Sequence, residues 1–276
     1  MSAAPVFARV RASRGWLWLV SAHALFARAR VYWLQLILGY WMITVLVSLI
    51  PVIGVIAATL LKPVFAVGFL AAAWSIERGE PLRFSRLFDG FRSNLAALIP
   101  LGAVYGAGVI AAVMLSSMMD GGALMRLLLL GQATETVALL STPGIQSAMV
   151  FAAVCSIPIL LALWFAPALI VFQDQPTWRA LSLSLRASIA NAGAILVYWI
   201  AVLFFFIVIP GVIIAVGALF GYNGARFGLA LAMPVMMVIV AVIHAADYVI
   251  YRDLFHHGEA MAATARNQPD TRSGSS

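Results

Sequence analysis

Lys62, His244 and Asp247 are the ionisable residues that this 276-residue sequence sets inside long apolar runs, so chemistry is sought there first. Lys62 is the sole lysine and directly precedes Pro63. A cation beside a residue that interrupts backbone hydrogen bonding is the arrangement by which transporters meet a substrate or ion at a broken helix. A plainer account is favoured. Lys62 stands about seven residues, roughly 10 Å, from the outer end of its helix, and a lysine stem can snorkel that far. His244 and Asp247 are three residues apart, so on a helix they share a face and can hydrogen bond. They would act as a proton-relay pair, or as half a metal site with His256 and His257 beyond the helix end. The alternative is a polar pair near the membrane surface, tied to an arginine such as Arg92 or Arg186. Pairing of Asp247 with Lys62 is not expected, because the two approach opposite faces with a depth gap of roughly 15 Å.

No Walker loop, Gly-x-Ser-x-Gly, His-Glu-x-x-His or cysteine pair occurs in the sequence, whose one cysteine is Cys155. No catalytic residue, cofactor or metal ligand set is therefore assigned.

The elements that must position these residues are membrane helices. The chain is 64% hydrophobic and 10% charged, with a mean hydropathy of +1.03. Soluble domains carry about 25% charged residues, so the bilayer must serve as solvent for most of this chain. The net charge of +7 would suggest nucleic acid in a soluble protein. Here the arginines cluster between apolar spans, which directs them to orientation and to anionic lipid headgroups instead.

Six spans are read, at about 31–49, 55–76, 94–117, 148–172, 192–219 and 229–251, in one helical domain over residues 1–255. Ile50-Pro51-Val52-Ile53-Gly54 marks a tight turn, and Pro210-Gly211 a kink in the fifth span. Residues 118–147 hold Asp120-Gly121-Gly122 as a turn, then an apolar piece too short to cross, which lies in the interface or dips in and returns. Residues 256–276 are polar and expected to be a disordered cytoplasmic tail.

Three amphipathic surface helices are expected on one side. The first covers the Trp-rich N-terminal segment, with Arg14, Ser21 and Arg28 on one face and Ser13 able to cap its start; a cleaved signal or a mitochondrial presequence is the competing reading. In the second, Phe84, Leu87, Phe88 and Phe91 follow the 3.6-residue period, with Arg83, Arg86 and Asp89 opposite and Arg92 at its end. The third follows Asp174-Gln175-Pro176, an acidic cap with proline at the first helical position. It carries Trp178, Leu181, Leu185 and Ile189 on one side and Arg179 and Arg186 nearer the other, though its Leu-Ser alternation also fits a strand. Arg83, Arg86, Arg92, Arg179 and Arg186 are the expected contacts to anionic lipid. Fourteen of the seventeen basic residues fall in the segments on this side, which the positive-inside rule makes cytoplasmic together with both termini. A weak threefold repeat, each unit a surface helix followed by a hairpin of spans, is compatible with Pro63, Pro158 and Pro234 lying eighteen residues before Pro81, Pro176 and Arg252.

Leu87-Phe88-Asp89-Gly90-Phe91-Arg92, Leu101-Gly102-Ala103-Val104-Tyr105 and Asp120-Gly121-Gly122 together resemble a family of multi-pass inner-membrane proteins of unknown function from beta-proteobacteria. The resemblance runs from Trp16 to about Phe255. It implies a bacterial inner-membrane location and a helical bundle, and it supplies no activity or site.

The expected role is non-catalytic: a membrane-embedded scaffold, assembly or envelope-homeostasis factor, with charge concentrated at the surface and a membrane-protein partner or second copy as candidate associate. A small-solute or lipid transporter is the alternative, and an intramembrane enzyme using His244 and Asp247 a third. Gly102, Gly106 and Gly108, with Gly217 and Gly221, form small-residue faces suited to packing within the bundle or to homodimerisation.

Overall fold

The computed structural model describes residues 7–130 and 140–256, and every regular element among them is helical. In chain order they are α1 (Arg14–Arg28), α2 (Arg30–Ser48), α3 (Ile53–Arg78), a 3₁₀ helix (Phe84–Arg92), α4 (Leu95–Asp120), α5 (Ala123–Leu130), α6 (Ile145–Trp164), α7 (Ala166–Gln173), α8 (Thr177–Ala190), α9 (Ala192–Ala218) and α10 (Gly221–Phe255). Six stretches are long and apolar enough to cross a bilayer: α2, α3, α4, α6 with α7, α9 and α10. The expected spans agree to within a few residues, except that α10 starts at Gly221, eight residues before the expected Leu229. In hydrocarbon a backbone must satisfy its own polar groups, which is why apolar sequence of this length becomes helix. The tail from His257 onward and the middle of the 118–147 segment lie outside the described residues.

Packing divides the chain into two units. One comprises Met1–Ile37, Ala72–Leu82 and Ala187–Ser276. In it α1 lies across α9: a Cβ on Gly15 would strike the Ala194 carbonyl, so only glycine allows this approach. Helix α1 buries Gly15, Trp18, Leu19, Ala22, Leu25 and Phe26, while Trp16, Leu17 and Val20 are exposed. Arg14, Ser21 and Arg28 form the polar stripe between these two apolar faces, which suits a helix touching protein on one side and acyl chains on another. Ser13 precedes the helix but makes no side-chain cap; its backbone is already in the helical region, where the hydroxyl cannot reach the first free N–H groups. Helices α9 and α10 meet closely at Gly217, Gly224 and Gly228, so these glycines pack inside the unit.

The other unit comprises Leu38–Ala71 and Arg83–Arg186. Its Gly102 abuts the backbone of Leu60, and Gly108 faces Ile159. Asp120 caps α5 by accepting from the backbone N–H of Gly122 at 2.9 Å and Leu124 at 2.6 Å, and Leu124 packs with Val113, Ala148 and Ala152.

The Phe84–Arg92 segment corrects the expected α-helix. It is a 3₁₀ helix, with three residues per turn, so Phe84, Leu87 and Gly90 form one face. Phe84 lies over Gly39, Leu87 is fully buried with its backbone against Gly68, and Gly90 sits against the Val64 carbonyl. Phe88 and Phe91 stack edge-on with Phe65. Leu87 and Gly90 thus make close contact with α3, while Phe84 and Phe91 remain partly exposed.

The third surface segment is a helix and not a strand, though its packed face differs from the expected one. Ala180, Leu181, Leu183, Ser184, Ala187 and Ser188 are buried, while Trp178 and Ile189 are exposed. Asp174 does not cap it. At φ 49° it occupies the left-handed region and closes α7, and Gln175 N–H returns to the Leu169 carbonyl at 3.2 Å. The Ser184 hydroxyl enters the hydrogen-bond ladder of the fourth span, accepting from Phe165 N–H at 3.0 Å and donating to Leu161 C=O at 2.7 Å. Those two backbone groups would pair with each other in an unbroken helix, and the inserted hydroxyl keeps both satisfied at the α6–α7 break.

Candidate functional site

A set of paired charged side chains gathers in the first unit, around the last turns of α10. Asp253 follows from helical phase: its carboxylate points at α1 and accepts from Arg14 Nε at 2.8 Å, Arg14 Nη2 at 2.7 Å and Trp18 Nε1 at 2.8 Å. The Asp253 side chain is 9% exposed and that of Arg14 43%. The hydrogen bonds to Asp253 raise the Arg14 pKa above its ordinary value against the opposing effect of burial. Next to Asp253 in the chain, Arg252 is ion-paired with Glu77 near the end of α3, which also accepts from the Tyr248 hydroxyl at 2.6 Å. Each of these carboxylates thus binds an arginine and a neutral donor.

Asn191, between α8 and α9, is 2% exposed and holds the N-terminal segment down. Its Oδ1 accepts from Val10 N–H at 2.8 Å, and its Nδ2 donates to the Ala8 carbonyl at 3.0 Å and the Ala187 carbonyl at 2.9 Å. Ala8 N–H donates to Leu254 C=O at 2.7 Å, and the Phe7 ring meets Phe255 edge-on. A strap of chain before α1 is thereby stitched to the end of α10 and the start of α9.

His244 Nδ1 lies 3.5 Å from Asp247 Oδ2, as their spacing predicts. His256 is occupied elsewhere, its Nε2 at 3.1 Å from the Tyr251 hydroxyl. Among the described residues no group of three His, Cys, Asp or Glu side chains could hold a metal ion. Lys62 is in the second unit, exposed on α3, with Nζ 2.9 Å from the Tyr105 hydroxyl and 4.2 Å from the centre of its ring. A tyrosine face gives a cation partial compensation for lost water. Of the arginines expected to meet lipid, Arg83, Arg92, Arg179 and Arg186 are exposed, whereas Arg86 is half-buried and paired with Asp89 at 3.2 Å.

Chemically the α10 cluster is a lock. Its acids already neutralise arginines, Asp253 with Arg14 and Glu77 with Arg252, and the Trp18 indole and Tyr248 hydroxyl are donors to those acids. Sequence reading missed Glu77, Asp253, Trp18 and Asn191. One signal was available: only ten acidic residues occur in the chain, and Glu77 and Asp253 each stand beside an arginine at the end of an apolar run.

No family model matches the chain, and no solved structure matches it. A relative described as a "Probable inner membrane protein" of Burkholderia thailandensis is 33% identical over 267 residues, covering 95% of this chain and 98% of the relative.

Proposed function

We propose a function from one premise: the chain belongs to the family of that Burkholderia thailandensis inner membrane protein. It resides in the bacterial inner membrane as a multi-pass protein with both termini in the cytoplasm. Its role is that of a non-catalytic scaffold, assembly or envelope-homeostasis factor. The observation that carries this reading is the pairing at the end of α10, where Asp253 with Arg14 and Glu77 with Arg252 spend their charges on holding helices together. Arg83, Arg92, Arg179 and Arg186, all exposed, form a basic collar toward anionic lipid. Short helices precede hairpins of long ones three times in the chain, which supports a threefold repeat of one plan.

Extraction in native-lipid particles, followed by identification of every co-purifying chain, tests the scaffold reading. A stable, stoichiometric protein partner is expected, and its absence under every growth condition would overturn the reading. Reporter fusions at Phe88 and Trp178 test the orientation, which requires both in the cytoplasm. The transporter reading keeps one favouring observation, the broken fourth span with Ser184 inserted at Leu161 and Phe165. It requires that Lys62→Met abolish uptake or efflux, an effect a scaffold would not show.

A further inference from the structure

We infer that the cavity beneath α1 is a binding site for one acyl chain of an anionic phospholipid. The inference rests on the membrane embedding of the chain and not on the scaffold reading. The cavity measures about 320 Å³ and lies within the first unit, lined by α1, α9 and α10. Its origin is in the packing. Helices α9 and α10 touch backbone to backbone at Gly217, Gly224 and Gly228. Toward their other ends the side chains of Phe205 and Val242 face a gap, and Trp16, Val20 and His23 of α1 roof it. Every lining residue is apolar except His23.

Three features select the occupant. A gap of this size costs its walls their dispersion contacts unless something fills it. Water is a poor filler, since it needs two to four polar partners and the cavity offers one imidazole. Acyl chains are the neighbouring solvent, and Trp16 and Val20, which border the cavity, are each about half exposed on the face of α1 that suits hydrocarbon. The headgroup is selected by charge. Arg9, Arg11, Arg28 and Arg30 are all exposed at the two ends of α1, so the helix that roofs the cavity carries cations at both ends. A phosphatidylglycerol-type lipid matches both parts, with its tail under α1 and its phosphate among the arginines. This differs from the collar, which would attract lipid headgroups without ordering a tail.

The test uses the full chain in nanodiscs containing phosphatidylglycerol with a photoreactive diazirine on the distal part of one acyl chain. Adducts should concentrate on peptides carrying Val20–His23 and Val238–Ile243, above the level on lipid-facing residues such as Leu203 and Ile207. Val242→Phe, which fills the gap, should reduce adducts at the cavity to that background while leaving those at Leu203 and Ile207. Should Val242→Phe fail to fold, Val20→Phe at the rim provides the same reading. Unlabelled phosphatidylglycerol should displace the probe roughly fivefold better than phosphatidylethanolamine for each arginine that engages the phosphate. Even labelling of all lipid-facing surfaces, unchanged adducts in a folded filled variant, or protection of the cavity by a co-purified peptide would each overturn the site. Equal displacement by the two lipids would overturn the anionic assignment.

Discussion

Truncating Asn191 to alanine should free the N-terminal strap without dissolving the bundle. The side chain is 2% exposed and makes two bonds to the strap, from Val10 N–H at 2.8 Å and to the Ala8 carbonyl at 3.0 Å. A neutral amide hydrogen bond contributes about 1 kcal/mol net, and a group left buried without a partner costs about 1–3 kcal/mol. Loss of both bonds should therefore bring the strap's local opening closer by roughly 2–4 kcal/mol. At 1.4 kcal/mol per factor of ten, that is a rise of about 30-fold to several hundredfold in the open population. Trypsin reads this directly, since Arg9 and Arg11 are exposed yet the peptide bond after Arg9 includes the Val10 N–H held by Asn191. With the protein in nanodiscs and cleavage slower than reclosing, the rate of cutting at Arg9 and Arg11 follows the open population. Trp178→Ala, at an exposed site, is the control. A cleavage rate in Asn191→Ala within about threefold of the parent would refute the reasoning, because even the smaller estimate predicts a tenfold greater change.

Asp253→Ala should lower thermal stability by about 1–3 kcal/mol, discounted for the half-exposed Arg14, and combining it with Arg14→Ala should cost less than the sum; strict additivity would mean that the pair is not coupled. Gly15→Ala should destabilise strongly through collision with the Ala194 carbonyl, whereas Gly211→Ala, which meets open space within a helix, should be neutral or stabilising by about 0.5–1 kcal/mol. Thermal unfolding in detergent compares the two, and equal effects would contradict the packing. Ser184→Ala should cost about 1–2 kcal/mol if Leu161 C=O and Phe165 N–H are left unpaired; no change in melting temperature would show that the ladder recloses. Replacing Arg83, Arg86 and Arg92 together by alanine should weaken association with anionic vesicles, with unchanged association arguing against the collar.

Span positions were legible because hydrocarbon imposes one rule, internal satisfaction of the backbone, that writes itself into apolar run length. The short helices were less legible. In the Phe84–Arg92 segment the contact face includes Gly90, which carries no hydrophobic signal, so the apolar residues alone mimicked a 3.6-residue period. In α8 the buried face mixes alanine and serine with Leu181 and Leu183, and the bulky Trp178 and Ile189 are what remains outside. The ion pairs were beyond local reading. Arg14 and Asp253 are 239 positions apart, and nothing within either neighbourhood names the other. His244 and Asp247 were legible for the opposite reason, since their meeting depends only on helical pitch.

The short helices share one physical device, and it bears on what each can offer to lipid. Bulky apolar side chains cannot specify a contact inside a membrane, because acyl chains solvate them as well as a neighbouring helix does. Specificity falls to groups that lipid cannot imitate: backbone surfaces exposed by glycine, and hydroxyls or amides that complete a neighbour's hydrogen bonds. Helix α1 docks through Gly15 on the Ala194 carbonyl, the 3₁₀ helix through Gly90 on the Val64 carbonyl, and α8 through Ser184 on Leu161 and Phe165. Each is therefore registered by small residues beside buried large ones such as Trp18, Leu87 and Leu183, while other large side chains stay outside. Trp16 and Trp178 are exposed in this way, and such residues with their neighbouring arginines, and not the buried faces, set how the protein meets its bilayer.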